Sequence, residues 1–417
     1  MEAGAILSSG CQSMRELLQH AIREAEHRES PVRVMALLQC ARALSVIDKG
    51  ASKATFAEAL AAAEELTLPI QYRQIVLSEA VIMGAAADPM AAVALFRRCS
   101  EDEAHPGWGL RCGNRLVQTL AGNGHINAAI DLLEDLNCEA GGATAVVHLT
   151  SDPQLQHRVL SAAHARWRAY REREGVYDRP PFAEDEFYWV FADHWRKLEI
   201  PEARAWLEEA LQAIEAGPDH ACSARFGDRV EFHSIKHKRL FQLLPVMRAH
   251  LTAERVEQIL AAYPEVRSAA EIYPLGVDTM KSEWRPPSPG APGGVRFAFA
   301  GSGSYNDLPA ASIPAASRGD RSAIERSIAE ANELYLEDIH TLDPQTSPRV
   351  FWPSCLAYRT AMYWAGKNLG KDAEPLLARI PDRDFAFLGG IEMAAGALGL
   401  PQHAGVRAGR RTGRPRT

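Results

Sequence analysis

Apolar positions along the first third of the chain fall into paired helical stripes. Val34, Leu37, Leu38 and Ala41 stand at i, i+3, i+4 and i+7, the spacing that lines one face of a helix. After Asp48-Lys49-Gly50, the residues Phe56, Ala59, Leu60 and Ala63 repeat it, which predicts a hairpin. A second hairpin sets Leu77, Ala80, Val81 and Gly84 against Ala92, Leu95, Phe96 and Cys99 across Asp88-Pro89, where proline suits the first turn of a helix. A third pairs Gly113, Leu116, Val117, Leu120 and Ala121 with Ile126, Ala129, Ile130 and Leu133 across Gly122-Asn123-Gly124, residues that accept the left-handed backbone ending a helix. Units recur about every 38 residues, and neither helix of a pair can bury its stripe alone, so successive pairs are expected to stack around a shared core.

Helical patterning continues. Gln154 to Glu174 reads as a long polar helix, followed by a turn at Asp178-Arg179-Pro180-Pro181. An aromatic helix, Phe187 to Leu198, then pairs through Pro201 with Ala203, Trp206, Leu207, Ala210, Leu211 and Ile214. Leu240, Leu243, Leu244 and Met247 form the next stripe, with a kink expected at Pro245, and Thr252 is the expected N-cap of its partner, Val256 to Tyr263. From Arg285 to Gly319 the texture turns to proline, glycine and serine, the composition of an insertion or linker. Helices resume at Ala323 to Ile339. Ala357, Thr360, Ala361 and Trp364 are then expected to face Ala373, Leu376, Leu377 and Ile380, before a terminal apolar helix from Phe385 to Leu398. Regular sheet is almost absent. The boundaries so drawn are an array over 1–285, an insertion over 286–320, C-terminal hairpins over 321–400 and a basic tail over 401–417.

The run from Asn114 to Ile130, with its turn glycine Gly124 and helix-packing alanine Ala129, resembles the middle of a tetratricopeptide repeat. Tyr363 to Pro381, with Gly370, Ala373 and Pro381, resembles a second copy. The resemblance implies an all-α fold, a right-handed α-solenoid of stacked antiparallel hairpins, and it implies binding of a protein or peptide.

Composition narrows the rest. With 417 residues, 47% of them hydrophobic, the chain can bury a large core. Arg407, Arg410, Arg411, Arg414 and Arg416 lie in an acid-free tail; taking these five positive charges from the net charge of −7 leaves the remainder near −12. So acidic a body argues against a nucleic-acid scaffold. Seven cysteines without a C-x-x-C pair, several on apolar stripes, suggest reduced thiols in a cytoplasmic protein. No apolar run approaches the roughly 20 residues of a membrane span, and the start lacks the basic segment of a secretory signal.

Three clusters carry candidate chemistry. His220, Cys222, His233 and His237 form a possible zinc set, in which His233 and His237, four residues apart, would share one face of a helix while His220 and Cys222 reach in from the preceding loop. Glutamate does not follow His233, so the H-E-x-x-H pattern of a metalloprotease is missing. Gly301-Ser302-Gly303 follows a strand-like run, but Asn306 to Pro309 continues as a loop where a phosphate cradle needs a helix start. Arg111, Asn114, Arg115 and Gln118, with Gln74 and Ser78 at the comparable place in the second hairpin, form a polar stripe expected to line a concave peptide-binding groove. The aromatics Phe187, Tyr188, Trp189, Phe191 and Trp195, and Trp352, Tyr358, Tyr363 and Trp364, read as core wedges. No catalytic acid or base is assigned, because sequence cannot set Asp185, Glu186 or Asp193 across a substrate.

The expected function is therefore a non-catalytic interaction scaffold for a protein or extended peptide, with no cofactor. Two other readings stay open: an enzyme with its active site under the 286–320 insertion, and a regulator whose middle segment is stabilised by zinc.

Overall fold

The computed structural model describes residues 2–100, 108–135, 142–172, 187–188, 202–219, 221–226, 229–274 and 321–400. In chain order the helices are α1 Glu2–Ala25, α2 Ser30–Leu44, α3 Lys49–Glu64, α4 Ile70–Ala87, α5 Pro89–Ser100, α6 Trp108–Gly122, α7 Ile126–Glu134, α8 Ala143–Leu149, α9 Pro153–Glu172 and α10 Ala203–Ala216. A strand pair, β1 Ala221–Phe226 and β2 Val230–Ser234, precedes α11 Ile235–His250, α12 Ala253–Ala262 and α13 Pro264–Ile272. The chain closes with α14 Arg321–Thr341, α15 Pro353–Leu369, α16 Glu374–Leu377 and α17 Arg383–Ala397. The protein is all-α apart from this one hairpin among the described residues.

Two compact units result, Met1–Cys112 with Ala298–Thr417, and Gly113–Phe297. The expected division, one array over 1–285 and separate hairpins over 321–400, thus differs from the observed grouping. The cause is chemical. Every residue of α2 from Val34 to Leu44 is buried, so Gln39 and Arg42 are carried into the core with the apolar stripe. Both meet a carboxylate on α17, where Glu392 Oε1 accepts from Gln39 Nε2 at 2.9 Å and Glu392 Oε2 pairs with Arg42 Nη1 at 3.3 Å. Arg359 of α15 donates to the same Oε1 at 3.1 Å. Burial opposes the charge of Arg359, but Glu392 and Glu79 outweigh it and hold its pKa above the ordinary arginine value.

In this first unit α2–α3 and α4–α5 are antiparallel hairpins, and α2 lies against α4. The turns repeat one device: Asp48 Oδ1 accepts from Ala51 N at 2.9 Å, and Asp88 Oδ1 from Ala91 N at 3.2 Å, each capping the second helix of its pair. Lys53 Nζ lies 2.9 Å from Asp88 Oδ2 and joins the turns. On its other sides α2 meets α1 and α17.

The expected pairing of α15 with 373–380 is replaced. That stretch folds as a 3-10 turn over Gly370–Ala373 and the single turn α16, and α15 packs on α17 instead. Glycines set the approach. A Cβ on Gly366 would lie 1.9 Å from the carbonyl oxygen of Met393, and one on Gly396 2.0 Å from that of Tyr363. The wedge aromatics Trp352, Tyr358 and Tyr363 are buried as expected, and Trp364 is half-buried.

In the second unit the turn between α6 and α7 forms at the expected place, with Gly124 at φ +85 and His125 N donating to Leu120 O at 2.8 Å. Helices α7 and α8 pack on α9, while α10, α12 and α13 pack on α11. Thr252 caps α12 by accepting from Arg255 N, as expected, and α11 runs unbroken through Pro245. The strand pair is antiparallel, with Phe226 opposite Val230 and Ala224 opposite Phe232. Its phenylalanines meet Phe241 of α11, ring centroids 5.1 Å away for Phe226 and 5.3 Å for Phe232. Among the described residues no helix is long and apolar enough to cross a membrane.

Candidate functional site

The first unit holds a cavity of about 540 Å³ where three helix ends and one loop meet. Glu29, Pro31 and Val32 come from the start of α2, Ile339 from the end of α14, Asp384 and Phe385 from the first turn of α17. The rest of the wall is the α14–α15 connection: Pro344, Gln345, Pro348, Arg349, Val350 and Trp352. That connection is pinned along its length. Asp343 Oδ1 accepts from Gln345 N at 2.9 Å, and Trp352 Nε1 donates to Ser347 O at 2.8 Å. Asp338, buried on α14, accepts from Ser354 N at 2.9 Å and so fixes the start of α15.

Arg349 supplies the cavity's cation. Its Nη2 engages Asp382 Oδ2 and donates to Tyr335 Oη at 3.4 Å. Asp382 is itself held, because its Oδ1 caps α17 by accepting from Asp384 N at 2.8 Å and Phe385 N at 3.1 Å. The guanidinium carbon lies 5.8 Å from the Trp352 ring centroid and 5.7 Å from that of Phe385, near enough for cation–π attraction. Asp384 is neutralised by Arg28, 2.9 Å away, whereas the exposed carboxylate of Glu29 has no ion-pair partner among the described residues. Ile339 of the cavity wall is 47% exposed, and Leu336, three residues before it on the same face of α14, is 59% exposed.

Among the cavity's described lining residues there is no cysteine, serine, threonine, histidine or lysine to act as nucleophile or near-neutral base. Eight of the lining residues are apolar: Pro31, Val32, Ile339, Pro344, Pro348, Val350, Trp352 and Phe385.

The second unit contains a different arrangement around His164. Its ring stacks on Trp206 at 4.6 Å between centroids and meets Phe187 at 5.3 Å and Trp167 at 5.5 Å. Nε2 lies 3.0 Å from Glu209 Oε2, and Arg168 Nε lies 3.2 Å from Glu209 Oε1. Burial holds the His164 pKa below the ordinary histidine value, Glu209 pulling partly back, so the ring is neutral near pH 7 and Nε2–H donates to the carboxylate.

The expected sites fare differently. Ser78 is 5% exposed, with its carbonyl accepting from the thiol of Cys112, so it cannot line an open groove. It falls inward because α4 is apolar almost all round. Gln74, Asn114 and Arg115 are half-buried and Gln118 is exposed, while the side chain of Arg111 lies outside the described residues. The set is divided between the two units. For the zinc set, His233 sits in β2, not on a helix, because the alternation Val230, Phe232 builds a strand and Ser234 then caps α11 by accepting from His237 N. His233 and His237 therefore do not share a helical face. His237 Nδ1 instead meets Glu265 Oε2 at 2.7 Å, Cys222 Sγ donates to Phe232 O, and His220 lies outside the described residues. Among the described residues no group of three or more histidines, cysteines or acids could hold a metal ion. The 286–320 segment, the 401–417 tail, Trp189, Phe191, Trp195, Asp185, Glu186 and Asp193 also lie outside them.

No known family, curated protein or solved structure matches the chain.

Proposed function

We propose that the protein is a non-catalytic interaction protein of the helical-hairpin, tetratricopeptide-like kind, acting in the cytoplasm and holding a segment of a partner polypeptide. The binding place moves from the polar stripe of Gln74 to Gln118 to the Arg349 cavity. One observation carries this reading: an apolar-lined cavity with a tethered arginine continues onto the exposed Leu336 and Ile339. Isolated exposed leucines need no explanation, but two on one face beside a pocket form a patch of the kind partners cover. Hairpins α2–α3 and α4–α5 serve as the rigid support. The location in the cytoplasm is supported by Cys40 and Cys355, which are reduced thiols buried in the first unit.

Panning the full-length protein against a random peptide library displayed on phage tests the reading. Enriched peptides should bind the native chain and lose at least about tenfold in affinity, about 1.4 kcal/mol, to Ile339→Asp. Peptides that bind Ile339→Asp equally well would place the interaction elsewhere and end the proposal.

A further inference from the structure

The second unit carries a device of its own between α9 and α10. There α7 and α8 pack on α9, while α10, α12 and α13 pack on α11, so α9 and α10 belong to different helix groups. Side chains join them. His157, His164 and Arg168 recur at steps of seven and four along one face of α9; Glu202, the N-cap of α10, is followed at steps of four and three by Trp206 and Glu209. Trp206 meets both imidazoles, 4.6 Å from His164 and 6.4 Å from His157 between ring centroids. Glu202 Oε2 lies 3.5 Å from His157 Nε2, and Glu209 links His164 to Arg168.

We propose that this seam is an acid-sensitive latch: protonation of His164 parts α9 from α10 and bares Trp167 to water.

The enclosure of the ring carries the inference. His164 is 7% exposed, with Trp167, Phe187 and Trp206 around it. Its one hydrogen bond among the described residues runs from Nε2–H to Glu209, so a proton arriving from solvent goes to Nδ1 and makes a cation that little water can reach. Glu209 and the aromatic faces favour that cation. Against them, Glu209 is shared with Arg168, whose positive charge opposes the new one, and Arg171 holds another cation 5.1 Å from the Trp167 ring centroid. Glu202 lies against His157, and Asp185 and Glu186, which precede Phe187, fall outside the described residues. Burial outweighs the carboxylate and keeps the ring neutral until the pH falls below the ordinary histidine range. Opening the seam returns water to the charge at the cost of a few ring contacts, while the packing within each helix group is kept. The seam therefore yields before the groups do.

Fluorine NMR of the full-length protein labelled with fluorotryptophan tests the latch. Trp167 and, in the first unit, Trp352 are both buried, and Trp167→Phe and Trp352→Phe assign their signals. Exposure is read as the shift each signal shows when water is replaced by heavy water. On acidification Trp167 should gain that shift with a midpoint below about pH 6.5, while Trp352 shows none. His164→Phe should abolish the change, and His157→Gln should leave it. Two further variants need no change at the histidine itself: Glu209→Gln should move the midpoint down and Arg168→Gln should move it up, since the first group favours the charged ring and the second opposes it. A merely structural part for His164 would produce neither displacement. Trp167 protected until Trp352 is also exposed, exposure that survives His164→Phe, or a midpoint indifferent to Glu209→Gln and Arg168→Gln overturns the latch. The Arg349 cavity belongs to the other unit, so its reading is decided separately.

Discussion

The two units handle charge in opposite ways. In the first, Glu392, Arg42, Arg359 and Gln39 are each at most 6% exposed and tie helices far apart in sequence to one carboxylate. In the second, an ionic cluster of Arg158 with Glu134 and Asp131 lies at the surface between α9 and α7, with the Arg158 side chain 38% exposed. Buried pairs gain little over apolar packing yet are costly to break, because a lone charge is left without water. Surface pairs are individually weak. The Glu392 cluster of the first unit is therefore costly to break, and the Arg158 cluster of the second is not.

Four substitutions and one control, Gly390→Ala, sharpen or break this contrast. Glu392→Ala should have the largest effect, taking from the buried Arg42 and Arg359 the carboxylate they share and lowering stability by about 3–5 kcal/mol in denaturant unfolding. A loss under about 1 kcal/mol would show that the cluster is dispensable. Gly366→Ala comes next: its new Cβ meets the backbone of α17, which cannot rotate away as a side chain does, at a cost of about 1–3 kcal/mol in thermal unfolding. Gly390→Ala on the same helix meets only Leu377 Cδ1 at 3.6 Å and should be neutral or stabilising, which isolates the approach of α15 and α17 from glycine loss as such.

The third change reads the buried histidine. Burial holds the native pKa of His164 below that of the unfolded chain, about 6.5, so the unfolded state binds the proton more readily between the two values. Stability of the second unit is complete above about pH 6.5, falls as pH drops through the window, and levels off below the native pKa. Its slope is at most about 1.4 kcal/mol per pH unit for one group. Hydrogen exchange of α9 amides, corrected for intrinsic rates, should show this slope and lose it in His164→Phe; an unchanged slope would assign it to another group. Smallest of all, Arg158→Ala should cost less than about 1 kcal/mol, and less still at high salt.

Local structure was legible in the residues and remote pairing was not. The stripes of α2 and α3, the Asp88-Pro89 turn, the Gly124 helix end and the Thr252 cap each follow from chemistry within a few positions. Glu392 looked like one more polar residue on a terminal apolar helix, since its partners Gln39 and Arg42 precede it by more than 340 positions. The strand pair was hidden for another reason. Phe226, Val230 and Phe232 alternate, but the four-residue spacing of His233 and His237 also fits a helix, and only packing on Phe241 decides between them. The Arg349 cavity draws on segments around 29–32, 339–352 and 384–385, so no window of sequence contains it. Of its parts, Ile339, Trp352 and Phe385 read as a helix end, a core wedge and the start of the terminal helix.

The carboxylate at position 392 also sets a timetable. As the chain leaves the ribosome from its N-terminus, α2 emerges with Gln39 and Arg42 destined for a dry interior, while the carboxylate that accepts from both waits some 350 residues behind. Early hairpins must keep that face hydrated, or shielded by a helper, throughout translation. The first unit locks only after α17 is made, so a chain interrupted before it is left with an unfinished fold open to misassembly and proteolysis.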